Sequence, residues 1–138
     1  MASLTICPEA ERELDELYDV CEADAALIDV LIEELSGDES ALASLCEDVP
    51  KWNYFHQPPY EVKRFGECWK VDRRVYTLKV YDENGHLCDR RVIVAHDPLS
   101  DEYCVLATPH RDFDYDPASH EFADILERYD RAGFDSIR

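Results

Sequence analysis

Arg111 and Tyr115 stand four residues apart, His110 sits beside the arginine, and all three follow an apolar run, Tyr103–Ala107. The stretch "RRVIVAHD" (90–97) sets Arg90 and Arg91 ahead of a second apolar run, and Lys79 lies inside a third, "VYTLKVY" (75–81). Guanidinium and ammonium groups hold anionic oxygen, and an imidazole or a phenol can pass a proton to it. Each residue also has a plainer role. Lys79 and Arg90 suit a solvated sheet face, and Tyr115 suits packing at a strand end.

The rest of the chain gives these cations a contrast. Its 138 residues carry a formal net charge of −18, very unevenly spread. Residues 1–50 hold 15 acids against Arg12 alone, 51–91 hold nine bases and six acids, and 92–138 hold four bases and 11 acids. Such a protein repels polyanions unless a local basic surface overrides the field, and only the middle third can build one. No apolar run reaches the roughly 18 residues of a membrane helix. The N-terminus lacks the basic start and apolar stretch of a secretory signal, so a cytoplasmic protein is expected. Cys7, Cys21, Cys46, Cys68, Cys88 and Cys104 form no CxxC pair and show no zinc spacing, which suits small, mostly buried, reduced side chains. His56, His86, His96 and His120 are scattered, so no metal site is expected.

Several elements must position the cations. Leu4 and Ile6 alternate with polar residues as a short strand would. Leu14, Leu17, Tyr18 and Cys21, then Ile28, Leu31, Ile32 and Leu35, recur at helical spacing. They make one long helix or a pair broken near Ala23-Asp24, ended by Ser36-Gly37. Leu42, Leu45, Cys46 and Val49 predict a further short helix before Pro50. Residues 51–74 read as loop with a short strand near Cys68–Val71. Trp52, Tyr54, Phe55, Tyr60 and Trp69 there suit either base stacking or core. Asn84-Gly85 predicts a tight hairpin turn between β-rich flanks, and strands are expected at 75–81, 87–96 and 102–111. Asp116-Pro117 suits a helix start ahead of Phe122, Ile125, Leu126 and Tyr129. A two-residue turn brings Lys79 opposite Arg90, whereas a bulge or a longer turn brings it opposite Arg91. This order of elements gives an α+β fold in one domain, 1–138, with helices packed on one face of a small antiparallel sheet and a C-terminal helix.

Three of these stretches resemble the RelE/ParE toxin superfamily. "LTICPEAERELDELY" resembles its opening strand and first helix. "RRVIVAHD" resembles the strand that begins on Arg and continues through small apolar residues. "VLATPHRDFDY" resembles its closing strand, with Arg111 and Tyr115 at matching spacing. The resemblance implies a RelE-like sheet and a ribosome-dependent endonuclease of messenger RNA, held inactive by a cognate antitoxin protein. It further implies that Lys79, Arg91, His110, Arg111 and Tyr115 are catalytic and that no metal or cofactor is needed. In that chemistry the RNA's own 2′-hydroxyl attacks the neighbouring phosphate. A base for the hydroxyl, cations for the added charge and a donor for the leaving oxygen are then required. Two alternatives stand beside it. One is a non-enzymatic acidic interaction protein on the same fold, binding a basic partner or mimicking nucleic acid. The other is a gyrase-directed toxin of the ParE branch.

Overall fold

Because Leu4 and Ile6 alternate with Ser3 and Thr5, the opening residues have one face to bury and extend as a strand. In the computed structural model, which describes residues 3–45, 60–82, 84–113 and 115–133, this is β1 (Ser3–Ile6). Pro8 opens α1 (Pro8–Val20), where its missing N–H is harmless and Glu9 and Glu11 meet the positive end of the helix dipole. The helix breaks at Cys21 (φ −151°, ψ 86°), slightly before the expected place, and α2 (Glu22–Ser36) packs on α1. The Tyr18 hydroxyl donates to Asp29 across the pair at 2.7 Å. Asp38 caps α3 (Glu39–Ser44) by accepting the Ser40 and Ala41 amides. Leu42 and Leu45 are buried as expected, while Cys46 and Val49 lie outside the described residues.

The sheet contains β2 (Tyr60–Arg64), β3 (Val75–Tyr81), β4 (Leu87–Asp97) and β5 (Glu102–Ala107), in the order β1-β5-β4-β3-β2. All neighbours are antiparallel except β1, which runs parallel to β5. The strand expected near Cys68–Val71 is instead α4 (Gly66–Trp69) and a turn, with Asp72 at φ 62°. The true strand comes earlier, where Tyr60 and Val62 bury one face and Glu61 and Lys63 take the other.

The turn at Asn84-Gly85 is wider than two residues because Asp82 organises it. Its backbone N–H donates to the His86 carbonyl, and its carboxylate accepts the amides of Asn84 (2.9 Å) and His86 (2.8 Å). Tyr81 therefore pairs with Leu87, and the ladder shifts before Lys79 pairs with Arg91. Arg91, not Arg90, faces Lys79. The amide bonds hold the Asp82 carboxyl below its usual range. Its contribution to stability is thus full above the unfolded pKa and is lost as pH falls through the lower folded one. Asp82→Ala should flatten the acid limb of a stability-versus-pH curve and broaden the amide signals of 79–91. An unchanged acid limb would show that the turn does not depend on this carboxylate.

β5 ends at Ala107 rather than running to Arg111, since Pro109 has no N–H to give the ladder. Beyond it, pairing resumes as an isolated bridge between Arg90 and His110, flanked by Arg91 N–H to Pro109 O (2.8 Å) and Arg111 N–H to Asp89 O (2.7 Å). Helices cover both faces of the sheet, not one. Tyr76, Leu78, Val92, Val94 and Val105 pack against α1–α3. Val75, Ile93, Ala95, Cys104 and Leu106 pack against α5 (His120–Arg131) through Phe122, Ile125 and Tyr129. Arg91–Asp97 is buried without alternation, as a strand between two layers must be. Ser119, not Asp116, caps α5 by accepting the Phe122 amide, and Gly133 follows the helix at φ 78°. Among the described residues, no helix is long and apolar enough to cross a membrane.

Candidate functional site

α5 covers the β5 side of its sheet face and leaves part of the β2–β3–β4 side open. On that side the two-residue period of β3 points Thr77 and Lys79 the same way. Glu61 of β2 and Arg91 of β4 both pair with Lys79, while Lys63 pairs with Thr77. The segment after β5 closes the site with Arg111 and Tyr115. Tyr115 is held by rings: Phe65 at 5.0 Å and Phe113 at 4.9 Å between centroids. The result is a cavity of about 350 Å³ in which Lys79, Arg91, Arg111 and Tyr115 meet.

The charge here is opposite to that of the chain. Lys63, Arg64, Lys79, Arg91 and Arg111 line the cavity against Glu61 and Glu67, so it is positive in a protein of net −18. Glu67 is paired outward to Lys70 at 2.8 Å, and Glu61 accepts the Tyr81 hydroxyl at 2.7 Å. Arg64 lies over the Trp69 ring at 4.2 Å. No carboxylate among the described residues pairs with Lys63, Lys79 or Arg91. Arg111 is 3.6 Å from Asp89, but both side chains are more than half exposed, and such a pair contributes about 0–1 kcal/mol.

Arg91 is the unusual member. It is 8% exposed, and its one hydrogen bond is from Nη1 to the Cys88 carbonyl at 3.1 Å. A buried guanidinium without a carboxylate is costly unless something else brings negative charge. Beside it, the Thr77 hydroxyl is buried and finds no partner of hydrogen-bonding geometry among the described residues. Burial pushes the Tyr115 phenol up, against the opposing pull of the Arg91 charge and the nearby Thr77 hydroxyl. Tyr81 is pushed up to about 12, by burial first and then by its bond to Glu61. Both phenols therefore stay protonated and can donate. The floor offers cations and hydroxyls, the wall offers a phenol, and Glu61 is a carboxylate able to accept a proton.

Four of the five residues expected at the site thus come together. His110 does not line the cavity. Its Nδ1 accepts the Asp112 amide at 3.1 Å and lies 3.3 Å from the Asp112 carboxylate, with the backbone bridged to Arg90. Glu61, Lys63 and Thr77 were missed by sequence reasoning, although the alternation across "YEVK" carried their signal. Trp69 belongs to the packing, its Nε1 donating to the Val75 carbonyl and its ring edge-on to Tyr76. Tyr60 is buried, while Trp52, Tyr54 and Phe55 lie outside the described residues.

Elsewhere, His96 is enclosed, its Nδ1 accepting from Arg74 Nε (2.9 Å) and its Nε2 facing Asp101 (3.0 Å). Cys68, Cys88 and Cys104 are buried free thiols, burial pushing Cys68 up to about 12 and Cys88 to about 11. Cys7 and Cys21 are half-buried. Among the described residues, no group of three His, Cys, Asp or Glu side chains is placed to hold a metal ion. Compared with protein-family models, with curated proteins and with solved structures, the chain finds no match.

Proposed function

We propose that this chain is the toxin of a toxin–antitoxin pair and cleaves messenger RNA on the ribosome, with the scissile phosphate held in the cationic cavity. The observation that carries the reading is Arg91: a buried, unpaired guanidinium facing Lys79, with Arg111 and Tyr115 at the same cavity. Glu61 takes the proton of the 2′-hydroxyl, and that oxygen attacks the adjacent phosphorus. Lys79, Arg91 and Arg111 hold the extra negative charge as the fifth bond forms. Tyr115, kept protonated by burial, gives its proton to the departing 5′-oxygen. The P–O5′ bond breaks, leaving a 2′,3′-cyclic phosphate and a 5′-hydroxyl, and solvent returns the proton balance to Glu61 and Tyr115.

One observation favours the second reading, an acidic interaction protein. Residues 8–44, which span α1–α3, carry 13 acids and the single base Arg12. Expression without a partner separates the two. Growth should arrest with translation halted and message shortened, and a Lys79→Ala/Arg91→Met double variant at equal expression should grow normally. Normal growth of the parent with intact message would transfer the assignment to the interaction protein.

A further inference from the structure

A second cleft, of about 250 Å³, lies between α1 and the chain just after β5, and it shares no lining residue with the cationic cavity. Glu13, Glu16, Leu17 and Val20 fall on one helical stripe and form its helix side. Arg90, Thr108 and Pro109 form the other side.

Thr108 is 1% exposed, and its hydroxyl finds no hydrogen-bond partner among the described residues. Its backbone N–H is satisfied by Glu13 Oε1 at 2.9 Å, and Glu13 Oε2 takes Arg128 at 2.9 Å. Glu13 is therefore committed, while the hydroxyl beside it is not. Buried polar groups normally have partners, so an orphan at a cleft calls for a ligand group that completes it. Glu16 is exposed and makes no ion pair among the described residues. Val20 stands 76% exposed at the same helix end.

Electrostatics identifies the missing group. α1 has no base in its last turn, so Glu16 and Asp19 add negative charge to an end that is already negative by its dipole. The same deficit recurs in α2, where Glu33 and Glu34 approach the C-terminus with no base in the last turn. A polyanion is repelled from this surface, and a cation is attracted.

We propose that this cleft docks a basic amphipathic segment of a partner protein. One Arg or Lys side chain enters between Glu16 and the Thr108 hydroxyl, which accepts its N–H, and an apolar neighbour covers Val20. Arg90, which has no ion pair among the described residues, meets the segment's backbone carbonyls from the far rim. Nothing in this depends on RNA cleavage, so either assignment can fail alone.

The test titrates the whole protein with a short amidated peptide of alternating arginine and leucine, read by amide NMR shifts and calorimetry, with spermine as a purely cationic probe. The largest shifts should fall at Leu17, Val20 and Thr108. Glu16→Gln and Thr108→Val should each weaken the peptide by about tenfold, while Thr108→Ser, which keeps the hydroxyl, should bind as the parent does. Glu33→Gln, an exposed acid outside the cleft, should leave affinity unchanged. Glu16→Gln is a surface change, so the test survives even if Thr108→Val fails to fold. The proposal is overturned if Glu33→Gln weakens binding as much as Glu16→Gln, if spermine reproduces the same shifts at the same affinity, or if the cleft residues do not shift.

Discussion

Arg91→Met is expected to lower RNA cleavage by ~10²–10³-fold while leaving the melting temperature at or above that of the parent. The two halves of this result come from one fact. Arg91 is 8% exposed, it has a single backbone acceptor, and no carboxylate among the described residues neutralises it. Folding therefore strips water from a charge and gives little back. Methionine fills similar space with a flexible apolar chain, so the buried charge disappears and packing is retained. In the cleavage step the balance reverses, because negative charge accumulates on the phosphate where the guanidinium waits. Arg91→Lys tests the geometry, since it keeps the charge but loses the planar fork and should recover only part of the rate. Parallel kinetics and thermal melts decide the matter. A destabilised but fully active Arg91→Met protein would mean that the guanidinium serves the fold and not the site.

Phe65→Ala should cost about 3–5 kcal/mol of stability, the usual range for removing a buried aromatic ring. Phe65 is 3% exposed at the β2–α4 corner, and its amide is tied to the Val75 carbonyl at 2.9 Å. It touches three rings from later in the chain: Phe113 at 6.2 Å, Tyr115 at 5.0 Å and Phe122 at 5.8 Å. One side chain thus joins the sheet to α5 and to the irregular segment that carries Tyr115. Aromatic pairs add roughly 0.5–1.5 kcal/mol beyond their buried area, and here several share one ring. Denaturant titration measures the loss directly. Phe65→Leu should lose less stability and should still loosen Tyr115, which a broadened Tyr115 ring signal would report. A loss under about 1 kcal/mol for Phe65→Ala would mean that this cluster does not hold the segment.

Much of this arrangement was legible in the residues, and the failures have identifiable causes. Apolar spacing in α1 and α2 and the Asn84-Gly85 turn announced helices and hairpin, because both are local features. The four cavity residues Lys79, Arg91, Arg111 and Tyr115 were legible as types. Whether they share a face depended on register, and that turned on Asp82, whose carboxylate widens the turn and shifts the ladder. Placing all helices on one face ignored the unbroken run Val92–Ala95, whose lack of alternation already required cover on both sides. β2 was hidden because Glu61 and Lys63 alternate with Tyr60 and Val62 inside a stretch otherwise full of aromatics and bases. His110 follows Pro109, and the ladder lost at that proline turns it toward Asp112 and out of the cavity's lining.

The most direct test is end-group analysis of a message bound to ribosomes and treated with the purified protein. The expected result is cleavage within the ribosome-bound region, leaving 2′,3′-cyclic phosphate and 5′-hydroxyl ends, and lost with Lys79→Ala, Arg91→Met or Arg111→Ala. A message left intact by folded protein in excess of ribosomes, ends bearing 5′-phosphate, or undiminished cleavage by those variants would contradict it.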